Sequence, residues 1–309
     1  MAEPRPILLD CDPGVDDALA ILWIAAHPER FDLRAVTVVA GNVGLECTAP
    51  NARRMLDVAG LGAVPVYAGA HRPIMRARGK TSKMHGGDGL GDVGLPPATR
   101  APEPLHGAQA IVETARACDG RLHLLATGPL TNLALALLLA PDLPELIDGI
   151  TLMGGAAFGP GNTTPAAEFN FHVDPEAARI VFESGIPIVM AGLDVTRQAV
   201  LSPQAMARLS GPDAPLQGLC GSLLAGYHDP CLHDPAVVAY LLEPALFESV
   251  AGHVAIVTTP GDTAGQSVAA ISERHLAGRA PNAQILTGLD QPRFEALFLN
   301  SMVTLGTSL

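Results

Sequence analysis

Four of the eight residues in segment 10–17 are aspartates, in the order Asp-Cys-Asp-Pro-Gly-Val-Asp-Asp. An apolar run predicts a buried strand over 5–10 and residues 17–26 predict a helix, so the carboxylates lie in a strand-to-helix turn. Ligands commonly bind outside such strand ends in open α/β sheets. Carboxylates this close raise one another's pKa unless a cation offsets their charge, and Ca²⁺ or Mg²⁺ prefers oxygen ligands of this kind. Helix capping is the alternative, but it accounts for two aspartates and not for four.

The strand-turn-helix pattern recurs along the chain and predicts the fold class. Further strands are predicted over 33–40, 64–67, 121–126, 149–153 and 186–191, with helices over 49–59, 105–117 and 174–184. Five units of this kind indicate an α/β fold with a mainly parallel open sheet flanked by helices. The later part of the chain is predicted to be helical over 202–242, to form short strands over 254–258, 266–271 and 283–286, and to end in a helix over 291–304. These strands indicate a small antiparallel extension near the C-terminus, and the absence of a linker-like break predicts a single domain over 1–309.

One long segment, 69–104, is rich in Gly, Pro and basic residues and has little periodicity. A stretch of that length without regular structure is usually a functional flap or a disordered insertion. Its most glycine-rich part begins at His85, which makes His85 a candidate for contact with a ligand. A simple turn is the alternative at this position.

Composition excludes several classes of partner. The formal net charge of -12 argues against binding a nucleic-acid polymer and favours a small neutral or cationic substrate. Hydrophobic residues make up 48% and charged residues 16% of the chain, which indicates a large core or a subunit interface, and hence a homodimer or homotetramer. The five cysteines are scattered and outline no disulfide framework, and we find neither a secretory leader nor an apolar stretch of membrane-spanning length. We therefore expect a cytoplasmic protein with no membrane partner.

Two other metal-dependent interpretations are open. The Asp10-x-Asp12 pair is typical of haloacid-dehalogenase-type phosphatases, but Gly14 stands where their motif carries Thr or Val, and Asp16 and Asp17 are left unexplained. A metal-dependent phosphohydrolase therefore remains the second hypothesis. A zinc site is a further alternative, because the spacing of four possible ligands suits it: His228, Cys231, His233 and Asp234. A second cluster with metal-ligand spacing is missing from the sequence.

Six short motifs together resemble one known family. They are Asp10-x-Asp12-x-x-x-Asp16-Asp17, Gly41-Asn42, Thr127-Gly-x-Leu-Thr-Asn132, Leu152-Met-Gly-Gly155, Ala167-Glu-Phe-Asn170 and His233-Asp234-Pro235. Their types and order closely resemble those of the inosine-uridine nucleoside hydrolase family over nearly the whole chain. The resemblance implies a Rossmann-like nucleoside hydrolase fold. It also implies hydrolysis of the N-glycosidic bond of a ribonucleoside, such as uridine, cytidine or inosine, to free base and ribose.

The resemblance also implies a calcium site. By motif position, Asp12, Asp17 and Asp234 would bind Ca²⁺ through their carboxylates and Thr127 through its backbone carbonyl. Water held by the ion would be the nucleophile, and Asp12 would accept its proton as general base. The bond to the base would break through an oxocarbenium-like transition state without a covalent sugar intermediate.

The remaining matched positions would bind the substrate. Those that correspond to contacts with the ribose are Asp16, Asn42, Met153, Asn162, Glu168 and Asn170. Tyr227 and His228 are possible contacts of the base, His85 is a further candidate for contact with the substrate, and His233 would assist the departure of the base. Each polar residue could instead only structure its loop, and His233 could be a core histidine bonded to a backbone carbonyl. A non-catalytic nucleoside-binding protein is the third hypothesis, although the chain retains every acidic position that the chemistry needs.

Overall fold

The computed structural model describes residues 3–77, 79, 84–210 and 215–308. Parts of the glycine-rich segment 69–104 and of the predicted helical region 202–242 lie outside these residues. Within them the strands are β1 (Arg5–Cys11), β2 (Phe31–Val38), β3 (Val66–Ala68), β4 (Leu122–Ala126), β5 (Ile147–Met153), β6 (Ile188–Ala191), β7 (Phe247–Ile256), β8 (Ser267–Ala270) and β9 (Ala283–Leu289).

These strands form one sheet in the order β3-β2-β1-β4-β5-β6-β9-β7-β8. The neighbouring pairs from β3 to β9 are all parallel, whereas β7 is antiparallel to both β9 and β8. The predicted parallel sheet with an antiparallel extension is therefore confirmed. Two details differ: β9 extends the parallel part, and β7 begins at Phe247 instead of residue 254. The first half of β7 is largely exposed and polar, so it lacks the apolar run that marks a buried strand.

Helices connect the strands and cover both faces of the sheet. They are α1 (Val15–Ala25), α2 (Leu45–Val58), α3 (Gly107–Ala117), α4 (Thr131–Leu139), α5 (Leu143–Leu146), α6 (Phe169–Val173), α7 (Pro175–Phe182), α8 (Leu193–Thr196), α9 (Pro203–Leu209), α10 (Pro215–Ala225), α11 (Pro235–Leu242), α12 (Glu273–Leu276) and α13 (Gln291–Ser308), with a 3₁₀ turn at Pro244–Leu246. The sequence did not predict α5, α6, α8 and α12, because four or five residues are too few to show helical periodicity. None of the helices in the described segments has the length and apolar composition that crossing a membrane requires.

The core consists of two apolar clusters on opposite faces of the sheet. Alternate residues of β1 belong to different clusters, with Ile7 and Leu9 in one and Leu8 in the other. The first cluster contains α1, which is buried from Val15 to Ile24 and packs against α2, α10, α11 and α13. Trp23 anchors α1 there, because its ring contacts two phenylalanines of α13 edge-on and its Nε1 donates to Ser301 Oγ at 2.9 Å. The acidic first turn of α1 is thus carried by one of the most deeply buried helices.

Parallel pairing brings the predicted site segments to one edge of the sheet. Asp10 at the end of β1 is in register with Ala126 at the end of β4, and Cys11 is in register with Val38 at the end of β2. The loops that follow β1, β2, β4 and β5 therefore lie side by side. Alignment of the strand ends is what places distant motifs within reach of one another.

Candidate active site

A cavity of about 310 Å³ opens at this edge of the sheet. Its lining consists of Asp16, Asn42, Met84, His85, Thr127, Met153, Asn162, Thr163, Glu168, Phe169, Asn170, Tyr227, Asp229, His233 and Asp234. The site residues that the sequence predicted are in this set, with three exceptions. Asp12 and Asp17 are fully buried and bonded to lining residues, and His228 lines a neighbouring cavity together with Tyr227. The volume is at the lower end of the range for small-molecule sites, so the cavity suits a ligand of modest size.

Three carboxylates from two distant segments meet at the floor of the cavity. Ligand oxygens of Asp16, Asp17 and Asp234 all lie within 4.8 Å of one another. Asp17 is held in place because its Oδ2 accepts a hydrogen bond from the backbone N–H of Gly14 at 2.9 Å and its Oδ1 accepts one from Thr127 Oγ1 at 2.7 Å. Asp234 precedes α11, so the far end of the chain completes the group.

The acidic group is electrostatically strained without a cation. Burial, and then repulsion from Asp16, raise the pKa of Asp17 to about 7. Burial and neighbouring carboxylates also raise the pKa values of Asp12 and Asp234 well above their usual range. In addition, Asp12 Oδ1 and Asp16 Oδ1 are buried without a hydrogen-bond partner. Buried, unpartnered carboxylate oxygens at this density are the donor set of a hard divalent cation, so this group of residues could bind a metal ion.

Asp12 is fixed by the loop that follows β2. Its Oδ2 accepts a hydrogen bond of 2.6 Å from the backbone N–H of Asn42, and the Asn42 side chain donates to the Asp12 carbonyl at 3.3 Å. A Cβ atom on Gly41 would lie 2.0 Å from Asp12 Oδ2, so this contact requires glycine. Asp10 does not line the cavity. Its Oδ1 accepts hydrogen bonds from Thr37 of β2 and Asn132 of α4, and burial raises its pKa to about 6.

The wall beside β5 carries Glu168 and Asn170. Glu168 caps α6: its Oε1 accepts from the Asn170 N–H at 2.8 Å, and its Oε2 accepts from the Gly155 N–H at 2.8 Å. Burial raises the pKa of Glu168. The Asn170 side chain donates to the carbonyls of Thr127 at 2.8 Å and Met153 at 3.1 Å. Because a carbonyl oxygen has two lone pairs, the Thr127 carbonyl can still bind a cation.

The opposite wall carries His85 and Tyr227, whose rings stack with centroids 5.2 Å apart. His85 Nδ1 accepts a hydrogen bond from the Val15 N–H at 3.1 Å, which ties the glycine-rich loop to the start of α1. Tyr227 Oη donates to Asp16 Oδ2 at 3.3 Å. His85 therefore reaches the cavity from the glycine-rich segment.

His233 lies between two polar partners at the cavity wall. Its Nδ1 is 2.8 Å from Thr196 Oγ1, and its Nε2 is 3.4 Å from Asp229 Oδ2. These partners are a hydroxyl and a carboxylate, so the geometry differs from that of a core histidine bonded to a backbone carbonyl. Asp229 and Thr196 were not among the residues predicted from sequence. Neither belongs to a motif with recognisable spacing.

Asn162 and Thr163 lie in a loop that α8 holds in place. The Asp194 carboxylate accepts hydrogen bonds from the backbone N–H groups of Ala157, Phe158 and Gly159 at 2.7, 2.9 and 2.9 Å. The Arg197 guanidinium donates to the carbonyls of Pro160 and Gly161, both at 2.9 Å. Thr196, between these two residues, bonds His233. A helix of four residues therefore supports two walls of the cavity.

The sequence profile of the inosine-uridine preferring nucleoside hydrolases matches residues 7–296. The chain belongs to this family. It is 41% identical over 309 residues to the pyrimidine-specific ribonucleoside hydrolase RihA of Shewanella sp. (strain ANA-3), with 96% of each chain covered. It is also 41% identical over 308 residues to RihA of Escherichia coli (strain K12), with 96% of this chain and 98% of that protein covered.

Solved structures of nucleoside hydrolases have the same fold as this chain, in agreement with the family assignment. The purine-preferring ribonucleoside hydrolase from Gardnerella vaginalis superimposes with a TM-score of 0.91 at 30% identity, covering 99% of this chain and 100% of that one. A plant nucleoside hydrolase, PpNRh1, also gives a TM-score of 0.91, at 28% identity, over 97% of this chain and 99% of that one. The predicted family, fold and enzyme class, a ribonucleoside hydrolase, are confirmed. The roles of individual residues stay predictions.

The first testable prediction concerns Asp194. Replacing Asp194 with Ala removes the acceptor of three backbone hydrogen bonds, and each bond to a charged group stabilises by about 1.5–3 kcal/mol. We expect the loop 157–163 to lose protection from hydrogen exchange and KM for a ribonucleoside to rise by about tenfold or more. Asp142→Ala, at an exposed carboxylate on another helix cap, is the control. Unchanged KM and unchanged exchange in Asp194→Ala would show that the loop does not depend on this carboxylate.

Proposed function

We propose that this nucleoside hydrolase cleaves the N-glycosidic bond of pyrimidine ribonucleosides, uridine and cytidine, with Ca²⁺ as its resident ion. The observation that carries the proposal is the buried acidic group at the cavity floor, with unpartnered oxygens on Asp12 and Asp16. Relatives that cover nearly the whole chain at 41% identity are named as pyrimidine-specific, which supports the preference for the smaller bases.

The proposed calcium ligands are the carboxylates of Asp12, Asp17 and Asp234 and the Thr127 carbonyl. Asp16 belongs to the same acidic group, lines the cavity and accepts a hydrogen bond from Tyr227 Oη. We therefore propose that the Asp16 carboxylate binds a ribose hydroxyl. Ca²⁺ takes six to eight oxygen ligands, and the protein oxygens present leave positions for the substrate and water. When bound, the ion supplies a positive charge that lowers the pKa of water and orients the sugar.

The reaction then depends on two sets of side chains. Asp12 accepts the proton of the attacking water, and its unpartnered Oδ1 is the atom available for that proton. The residues proposed to hold the ribose are Asp16, Asn42, Met153, Asn162, Glu168 and Asn170. Carboxylates and amide oxygens around the ring orient C1′ and stabilise the positive charge that develops on it. His85 and Tyr227 are the proposed contacts of the base.

His233 is proposed to donate a proton to the departing base. A leaving uracil carries developing negative charge, and histidine is the side chain best suited to give a proton near neutral pH. The 3.4 Å separation between His233 Nε2 and Asp229 Oδ2 is longer than a good hydrogen bond. A base that enters the cavity can therefore replace Asp229 as the partner of Nε2 at little cost.

We also propose that the chain is a single domain that functions as a homodimer or homotetramer in the cytoplasm. One sheet contains all nine described strands, which supports the single domain. Leu138 and Leu139 at the end of α4 are each 61% exposed, which supports a subunit contact. Light scattering tests the assembly, and a monomer at micromolar concentration would refute it.

The second prediction tests the reaction. We expect the protein to release free base and ribose from uridine and cytidine at least tenfold faster than from inosine, measured as kcat/KM, because a missing or extra contact in such a pocket changes rates by about 10- to 200-fold. Deoxyuridine should be poorer than uridine by about 10⁴ or more, because its missing hydroxyl leaves buried polar groups unpaired. Equal turnover of uridine and deoxyuridine would refute the ribose contacts. Release of phosphate from phosphate esters, without base release, would favour the phosphohydrolase.

The third prediction concerns the metal. A calcium chelator should abolish turnover and lower Tm, because the ion offsets repulsion in the folded state. In the ion-free protein the pKa of Asp17 is raised from 3.8 to about 7. Between these two pH values the folded state therefore binds more protons than the unfolded state. The free energy of unfolding should then fall as pH rises from about 4 to 7, so chelation should lower Tm more at about pH 8 than at about pH 5.

Addition of Ca²⁺ after dialysis provides the matched control. Recovery of both Tm and turnover with Ca²⁺, and weaker recovery with Mg²⁺, is the expected result. Full turnover in thoroughly metal-free protein would contradict the calcium proposal.

The fourth prediction concerns His233. Its replacement by Ala should slow uridine hydrolysis by about 10² or more, since the departing base loses its proton donor. The activated substrate p-nitrophenyl riboside has a leaving group that needs little protonation, so its rate should change by less than about tenfold. Equal losses on both substrates would mean that His233 positions the sugar or the metal instead.

A further inference from the structure

We propose that Asp229, Cys231 and His233 form a second metal site, which takes a thiolate-binding divalent ion such as Zn²⁺ and inhibits the hydrolase when occupied. One ligand atom from each residue lies within 4.8 Å of the other two. Sequence spacing suggests His228 and Asp234 as partners of Cys231 and His233. The structure brings Asp229 to them instead, and it places Asp234 in the acidic group at the cavity floor.

The ligand types separate this site from the calcium site. The acidic group offers oxygen atoms only, whereas this cluster offers one sulfur, one imidazole nitrogen and one carboxylate oxygen. Sulfur and nitrogen ligands favour Zn²⁺, and oxygen ligands favour Ca²⁺. The two ions should therefore distribute between the two sites according to ligand type, although the sites are close in the structure.

The distances suit tetrahedral coordination with little rearrangement. Bonds of about 2.0–2.3 Å to zinc place neighbouring ligand atoms roughly 3.3–3.7 Å apart. His233 Nε2 and Asp229 Oδ2 are already 3.4 Å apart. The Cys231 sulfur is at most 4.8 Å from one ligand atom of each of these two residues, so a shift of about 1 Å brings it into range. Three protein ligands leave a fourth position for water.

Neighbouring bonds orient each ligand atom. Thr196 Oγ1 bonds His233 Nδ1 at 2.8 Å, which leaves Nε2 as the free nitrogen for a metal. The Cys231 backbone N–H donates to Asp229 Oδ1 at 2.9 Å, which leaves Oδ2 on the side of His233. The backbone beside Cys231 is itself fixed, because the Leu232 N–H donates to the Ala199 carbonyl at 2.7 Å.

Binding requires loss of the thiol proton. The Cys231 Sγ–H donates to the Arg197 carbonyl at 3.7 Å, and burial together with Asp229 raises the thiol pKa to about 12. The metal–sulfur bond forms as the sulfur–hydrogen bond breaks, and one proton goes to solvent for each ion bound. No oxidant or reductant is involved.

Inhibition follows from the place of the site at the cavity. Asp229 and His233 line the cavity, and the Cys231 sulfur lies within 4.8 Å of a ligand atom of each. An ion on His233 Nε2 occupies the nitrogen that we propose to protonate the departing base. The inhibitory part of the inference therefore rests on the proposed function, whereas the metal site itself does not.

The test uses cobalt as a spectroscopic substitute for zinc in the full-length, calcium-loaded protein. Co²⁺ bound by a thiolate gives a sulfur-to-metal charge-transfer absorption that an all-oxygen site cannot give. We expect this absorption in the wild-type protein, its absence in Cys231→Ser, and its retention in Cys47→Ser, a control at a partly exposed cysteine of α2. Absence of the absorption in the wild type, or an equal absorption in Cys231→Ser, would overturn the site.

The second readout is inhibition of uridine hydrolysis by Zn²⁺. We expect Cys231→Ser to keep the activity that is measured without added Zn²⁺ and to require at least about tenfold more Zn²⁺ for half-inhibition. A chelator that prefers zinc to calcium should reverse the inhibition. An unchanged zinc dependence in Cys231→Ser would overturn the inhibitory role.

X-ray absorption at the zinc edge of the wild-type protein needs no variant and tests the site even if Cys231→Ser fails to fold. One sulfur among nitrogen and oxygen neighbours supports the site, and no sulfur overturns it. A protein that binds cobalt through sulfur but hydrolyses no nucleoside would support the site and refute the proposed function instead.

Discussion

Repulsion among buried carboxylates is the constraint on which the rest of this structure depends. Asp12, Asp17 and Asp234 are removed from water and placed within a few ångströms of other acids, and their pKa values are raised accordingly. A chain tolerates such an arrangement only if the surrounding elements hold it firmly. The deep burial of α1, its packing by four other helices and the anchor of Trp23 provide that support.

Part of the floor of the site was predictable from local sequence, whereas Asp234 was predicted only through the family resemblance. Asp12, Asp16 and Asp17 fall within one turn, and the alternation of strand and helix predicts that the turn lies at the carboxyl edge of a parallel sheet. Glu168 and Asn170, which were predicted from the family resemblance, also line the cavity. Parallel pairing fixes where each strand ends relative to its neighbours, so loops after adjacent strands must meet.

The supporting residues were not predictable, because their bonds join segments far apart in sequence. Asp194 reaches backbone groups 35 to 37 residues away, and the bond of Thr196 to His233 spans 37 residues. Every residue except proline has a backbone N–H group, so the sequence does not indicate which aspartate binds three of them. Asp194 therefore could not be distinguished from other aspartates by its sequence context. The late start predicted for α2 has a different cause. Pro50 lies inside that helix, although proline is typical of a first turn.

The shortness of α8 has a consequence for how the cavity behaves as a whole. A single helical turn is far too short to persist by itself in water, so its conformation depends on the bonds made by its side chains. Those bonds go to the 157–161 loop on one side and to His233 on the other. A change in α8 would therefore disturb both walls at once. On the proposed function, where the first wall holds the sugar and His233 meets the departing base, binding energy from the sugar would reach the reacting half of the substrate through this helix.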